Sequence, residues 1–372
     1  MNIIVTDFSR GARGVLSQHC SGPCSDEHES KLYSRYENIM NILDPYQRVV
    51  EKSAMSVEVS NWIEESKKVI EEASAGASIK SDILTRNPLI YLNNHGPEHV
   101  TKVIAKATEL IMGLSNVDLS YYELFLLLCA IELHDVGNIF GRNSHEKSIG
   151  PILERITAFV PDTAERTCIH RIAMAHGGRI YGDKDTIHNL QKNRKLFNKP
   201  VKEQFLAAIL RLADELADDS DRTSKAELEL DIIADESKIY HYYSQSLHTV
   251  EIVNDMNGRY INLVYEFESV VAKKIFRKLS QDRYLLDEIY DRTIKMERER
   301  RYCARFLRPG ISVEGIKVEI IIQSSTDPFS SKSITYTLSE IGYPDAPQIG
   351  SISEVTENSP TGADIAAYFE NE

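Results

Sequence analysis

Between Ser120 and Asn138 the chain reads SYYELFLLLCAIELHDVGN, a run long enough for several helical turns and apolar on every side. A helix of that kind has no face for water, so it belongs at the centre of a packed bundle. Ser120 and Glu123 have the spacing of a capping box at its start, and Gly137 reads as its terminator. The helix closes on His134 and Asp135, two ionisable side chains that are costly to bury unless something pairs with them. Taken alone, the dipeptide reads as a helix end reaching solvent, with His134 favoured by the negative end of the helix dipole.

It does not stand alone. In NHGPEHVTKVIAKATELI, Pro97 suits the first helical position, and Val100, Val103, Ile104, Ala107, Leu110 and Ile111 repeat at helical spacing. His99 then lies in the first turn of an amphipathic helix. His145 follows Ser144, a candidate cap of a further helix that Gly150 and Pro151 should break or kink. Asp162 and Glu165 box the start of TAERTCIHRIAMAHGG, in which Ile169, Ile172, Ala173 and His176 share one face. His170, six residues before His176, lies on another face of the helix and is excluded as a ligand. In VKEQFLAAILRLADELADD, Asp214 sits among Ala207, Leu210 and Ala217 and needs a partner. Imidazoles and carboxylates converging from several helices make a ligand set that divalent Mn, Fe, Co, Ni or Zn accepts.

In this order of residues the chain resembles the HD-domain superfamily of metal-dependent phosphohydrolases, whose signature is a His, then His-Asp, then a distant Asp on a helical bundle. The resemblance covers about 93–222 and implies that His99, His134, Asp135 and Asp214 bind a first metal. Two-metal members add two histidines between the pair and the last Asp, which implies His145 and His176 for a second, with Asp135 bridging. It further implies hydrolysis of a small phosphate ester or anhydride, a nucleotide or cyclic nucleotide, by a metal-activated hydroxide, with Asp135, His134 and Asn138 at the catalytic centre. Asn138 stands where many two-metal members carry Lys, so another residue has to supply that lysine's part. Cationic candidates for the substrate phosphate are Arg142, Arg179, Lys184 and Arg211. Two alternatives share the fold: a di-iron oxygenase on the same six ligands, and a non-catalytic nucleotide-sensing or regulatory protein. The arrangement is also similar to HD domains with a C-terminal α/β extension that recur in bacterial multi-protein systems, which leaves open a homo-oligomer or an ATPase partner.

The rest of the chain sets the frame. The expected fold class is mainly α, an HD-type helical bundle with a smaller C-terminal α+β lobe. The expected divisions are a flexible arm over 1–30, the helical domain over 31–225, the α+β extension over 226–343 and a disordered tail over 344–372. Within the extension, TVEIV and INLVYEF flank a hairpin turn, a charged helix runs from about Arg283 to Phe306, and VEGIKVEIII reads as a strand. Its segment KMERERRYCARFLR reads as a salt-bridged surface helix. His19, Cys20, Cys24 and His28 in the arm are of zinc-ligand type but lack the usual paired spacing. Five cysteines, two of them in apolar helical patterns, suit reduced core thiols. The amino terminus has no apolar stretch of signal-peptide length and no run is long enough to span a membrane, so a cytoplasmic protein is expected. A net charge of −13 disfavours general nucleic-acid or anionic-membrane binding and leaves a small-molecule substrate.

Overall fold

The computed structural model describes residues 26–52, 96–111, 119–140, 145, 148–177, 179, 182–218, 220, 233, 235–278, 281–327, 329–339, 351–354 and 359–370. The chain is mainly helical, with a small mixed sheet towards the C-terminus, and it divides into two compact units. The first holds the described residues within 26–217 together with Phe306–Ile311, and the second holds those of Asp218–Arg305 and Ser312–Glu372. Among the described residues no helix is long and apolar enough to cross a membrane.

The first unit is a bundle of α1 (Asp26–Lys52), α2 (Pro97–Ile111), α3 (Tyr121–Leu133), the single turn α4 (Gly150–Leu153), α5 (Thr163–Met174) and, after the short hairpin β1 (Arg194–Leu196) and β2 (Lys199–Val201), α6 (Glu203–Leu216). The apolar helix α3 is its axis: every residue from Tyr122 to Leu133 is buried. Its capping box forms as the spacing requires, with the Ser120 and Glu123 side chains each holding the other's backbone N–H. Burying Glu132 in this helix would be prohibitive unpaired. Tyr36 and Gln47 of α1 both donate to its carboxylate, Gln47 at 2.8 Å.

Three local expectations change. Gly137 does not end α3, which stops at Leu133 with His134 as C-cap in right-handed helical geometry; a 3-10 turn, Val136–Phe140, follows at once. Gly150 and Pro151 start the short helix α4 rather than breaking one, because a proline at the first positions loses no helical hydrogen bond. Asp162 caps α5 and accepts from the Glu165 N–H, but the Glu165 side chain completes no box. It is taken instead by Tyr122 at 2.8 Å and Arg35 at 2.6 Å.

The second unit carries α7 (Asp235–Ser246), β3 (Leu247–Asp255), β4 (Gly258–Glu268), the turn α8 (Ser269–Ala272), the small hairpin β5 (Phe276–Lys278) and β6 (Gln281–Arg283), α9 (Leu285–Leu307, in this unit as far as Arg305), β7 (Gly315–Gln323), β8 (Ser331–Ser339) and α10 (Gly362–Tyr368). The sheet order is β3-β4-β7-β8, with β4 and β7 parallel and the other pairs antiparallel. A parallel pair needs a long crossover, and α9 lies within it. Period-two burial puts Ile261, Leu263, Tyr265, Ile316, Val318, Ile320, Ile334, Tyr336 and Leu338 in the core. Both α7 and α9 meet that face, through Tyr243 to Tyr265 and Thr293 to Tyr336.

Two expectations fail here for physical reasons. Gly362–Tyr368, placed in a disordered tail, is a helix with a capping box of Thr361 and Asp364, docked by the Gly362 N–H on Asp287 and by buried Phe369. The charged stretch of α9 is not all surface. Glu297 and Arg300 are buried and paired at 2.7 Å, Arg300 also reaches the Val313 carbonyl, and Arg301 adds a 2.7 Å bond to the same carboxylate. Helical spacing hides this because an i, i+3 ion pair looks the same in sequence whether it faces water or core. Removing one partner of a buried pair leaves an uncompensated charge. Glu297→Ala should therefore lower unfolding free energy by about 3–5 kcal/mol, read by urea denaturation, and the double variant Glu297→Leu, Arg300→Met should recover part of that loss.

Candidate metal centre

The site lies within the first unit and is made of helix ends. His99 is the third residue of α2, whose start at Pro97 leaves its ring buried against α3 and α6 partners. His134 and Asp135 follow the last turn of α3, His176 follows α5, and Asp214 lies in the last turn of α6. A carboxylate near a helix C-terminus is opposed by the dipole, so Asp214 requires cationic or donor partners. It has them: its Oδ1 is 3.1 Å from Nε2 of His99 and 3.5 Å from Nε2 of His134.

Gly137 explains how His145 reaches the group. A Cβ on this glycine would stand 2.0 Å from the carbonyl oxygen of His145, so only a residue without a side chain lets that backbone lie against the turn after Asp135. Nε2 of His145 then comes within 3.0 Å of Oδ1 of Asp135 and 3.3 Å of Nε2 of His176. The four rings form a chain, His99 to His134 to His176 to His145, with centroids 5.5, 5.0 and 5.4 Å apart.

Asp135 divides its two oxygens. Oδ2 lies 3.6 Å from His99 and 3.4 Å from His134, whereas Oδ1 lies 3.0 Å from His145 and 3.8 Å from His176. Two donor groups result, His99 with His134, Asp135 and Asp214, and Asp135 with His145 and His176. Either could hold a divalent metal: within each, one ligand atom per residue lies within 4.8 Å of all the others.

The chemistry of the donors fits such an ion. Nδ1 of His134 is 2.7 Å from the Ile131 carbonyl and Nδ1 of His176 is 2.6 Å from that of Ala173. A carbonyl only accepts, so both Nδ1 atoms carry the proton and donate it, and Nε2 is the atom left for an ion. Nε2 of His134 is fully buried and makes no well-directed hydrogen bond, the orphan that a metal ligand leaves when the metal is taken away. Burial opposes charge on His134, but the carboxylates of Asp135 and Asp214 outweigh it and hold the imidazolium well above its usual range. Burial likewise works against the Asp214 carboxylate, and the His134 and His99 imidazoles beside it override that, keeping its pKa well below the usual value. His176 goes the other way: burial first, then the neighbouring His134 charge, push it down to about 4.

The structure thus brings together His99, His134, Asp135, His145, His176 and Asp214. Asn138, buried one turn beyond, donates to Oδ1 of Asp135 at 3.1 Å. The expected phosphate cations are placed differently from one another. Arg179 is exposed and bonds the Gly182 carbonyl, Lys184 is exposed, and Arg211 donates to Thr186; Arg142 lies outside the described residues, as do His19, Cys20, Cys24 and, for its side chain, His28. Cys129, Cys168 and Cys303 are buried free thiols. Thr186 and the close approach at Gly137 were missed by sequence reasoning; neither has a local signature, since both act on residues distant in the chain.

A helical bundle with this ordered His, His-Asp, Asp set is an HD domain. Residues 84–293, more than half of the chain, match the family model described as HD-CE, and the chain belongs to that family. No curated protein and no solved structure matches it.

Two measurements test the geometry. Gly137→Ala should displace His145 and weaken metal uptake at its group while leaving the His99 group able to bind, read by calorimetric metal titration. In protein stripped of metal, His176 has a folded pKa of about 4 against an ordinary 6.5, so the unfolded chain takes up the proton first. The stabilisation from keeping it neutral is present above pH 6.5 and is lost as pH falls from 6.5 through 4, on the order of 3 kcal/mol. The chelated protein should show a melting temperature falling across that window, and His176→Gln should flatten the fall.

Proposed function

We propose that the protein is a phosphohydrolase acting on a small phosphate ester or anhydride, in particular a nucleotide or cyclic nucleotide, with two divalent ions. His99, His134, Asp135 and Asp214 would hold one, and Asp135, His145 and His176 the other. The observation that carries this reading is the division of the Asp135 oxygens between the two groups, since a carboxylate facing two imidazole pairs is suited to bridging. Bound ions lower the pKa of water and offset the charge that develops on a phosphoryl group.

The protein's own residues supply orientation. The Ile131 and Ala173 carbonyls fix the rings of His134 and His176. The Asn138 amide steadies Oδ1 of Asp135, and its own buried carbonyl oxygen has no hydrogen-bond partner among the described residues, so it can accept from a water or a substrate hydroxyl. A carboxamide has no acidic proton to give, so Asn138 does not protonate the leaving group. Arg179 and Lys184, exposed on the segment after His176, are the cations offered to a substrate phosphate.

Metal analysis of the purified protein, followed by a screen of nucleotides and generic phosphodiesters with added Mn²⁺, tests the assignment. Two ions per chain and metal-dependent hydrolysis are expected, read as phosphate from a monoester or anhydride or as a phosphomonoester from a diester. Asp135→Ala should lose both ions and the activity with an unchanged circular dichroism spectrum. His145→Ala or His176→Ala should keep about one ion and lose more than about 100-fold in turnover, beyond the usual cost of removing a supporting residue. Undiminished metal in Asp135→Ala overturns the reading. Iron-dependent oxygen consumption would point to an oxygenase, and nucleotide binding without turnover to a sensor.

A further inference from the structure

Arg211 has a place in the site that the phosphate assignment does not explain. It lies on α6 one turn before Asp214, so the two side chains leave the helix on neighbouring positions. Its guanidinium donates at 2.9 Å to Oγ1 of Thr186 and at 3.4 Å to the carbonyl of Ala175. Thr186 is fully buried, and its hydroxyl donates at 2.8 Å to that same carbonyl. Ala175 is the C-cap of α5, and the next residue is His176.

We infer that Arg211 is a positioning residue for the second ion, tying the helix that delivers Asp214 to the helix end that delivers His176. The inference rests on the two-ion reading above. A carbonyl at a helix C-terminus has no helical partner and sits at the negative end of the dipole, so a guanidinium there is doubly favoured. With Thr186 it gives the Ala175 carbonyl two donors and fixes the peptide that leads into His176. The His176 ring is then aimed by its own bond to the Ala173 carbonyl. Backbone and ring are thus held by separate bonds, and only the backbone bond comes from α6.

The tie is asymmetric between the two ions. His99, His134 and Asp214 are set within or at the ends of α2, α3 and α6 themselves, and none of them depends on the Ala175 peptide. His145 is held by the close approach at Gly137. Of the six ligand side chains, His176 alone follows directly on the braced residue. Loosening the tie therefore weakens the second ion and spares the first.

The experiment is titration of the full-length, chelator-treated protein with Mn²⁺ by calorimetry and electron paramagnetic resonance. The wild type is compared with Arg211→Ala, Arg211→Lys and Thr186→Val. Thr186→Val keeps the buried volume and deletes the bridge, so it decides the matter if Arg211→Ala does not fold. The expected result is a second Mn²⁺ bound about 10-fold or more weakly, as for other supporting residues, the first changed less than about 2-fold, and Arg211→Lys in between. Two unchanged Mn²⁺ affinities in Thr186→Val and in whichever Arg211 variant folds, with weaker inorganic phosphate binding to the Mn²⁺-loaded protein, would return Arg211 to a phosphate anchor and overturn the inference. Equal loss of both ions would overturn it too, as a general packing role. A single Mn²⁺ in the wild type would instead defeat the two-ion reading on which it rests.

Discussion

The centre of this molecule is one carboxylate shared between two sets of imidazoles. Asp135 is buried at the end of an apolar helix, and a charge there is tolerated only where its surroundings compensate it. Compensation comes from four directions, His99, His134, His145 and His176, each brought by a different stretch of chain except for the adjacent His134. The bundle's geometry follows from that requirement. Helices α2, α3, α5 and α6 all present a terminus, rather than a midsection, to the same point, and a terminus is where backbone carbonyls or N–H groups lack helical partners.

His134 and His176 use the carbonyls at these termini in the same way. Each donates Nδ1–H to the carbonyl three residues back, at 2.7 and 2.6 Å. One bond fixes a tautomer and aims a ring. Away from the site the same bookkeeping governs the other buried acids of the bundle. Glu132 is met by Tyr36 and Gln47, and Glu165 by Arg35 and Tyr122.

Much of this was legible in the chain. An all-apolar helix ending in His-Asp, Pro97 ahead of His99, and Asp214 on an apolar face each carry a local cost that only partners can remove, and each partner was found. The strands β3, β4 and β7 and helix α9 were readable from periodicity. What periodicity cannot show is contact between distant residues: the glycine that admits the His145 backbone, the threonine under Ala175, and the burial of Glu297 with Arg300. Strand β8 was readable in principle, since SKSITYTLS alternates with period two and its inward Ile334, Tyr336 and Leu338 are buried. Its outward residues are small hydroxyls rather than charges, which leaves the alternation shallow. The helix α10 escaped because seven residues give too little periodicity, although Thr361 and Asp364 announce its start.

The family match reaches residue 293 and so takes in α7, β3, β4 and the first turns of α9, none of which supplies a ligand. Their interior has its own charge problem and solves it internally. Glu288, buried, meets Lys278 at 2.5 Å, Arg292 at 3.0 Å and Arg283 at 3.4 Å, while Arg292 also lies over the rings of Tyr240 and Tyr243. Arg283 is engaged a second time by Asp291. Three cations gathered on one carboxylate could be mistaken for an anion site. Here each is committed to a carboxylate or an aromatic face; burial opposes charge on Arg292, and Tyr243, Asp218 and Glu288 outweigh it, holding its pKa above the usual range. A network of this kind holds the packing of the lobe and keeps its three cations on protein partners.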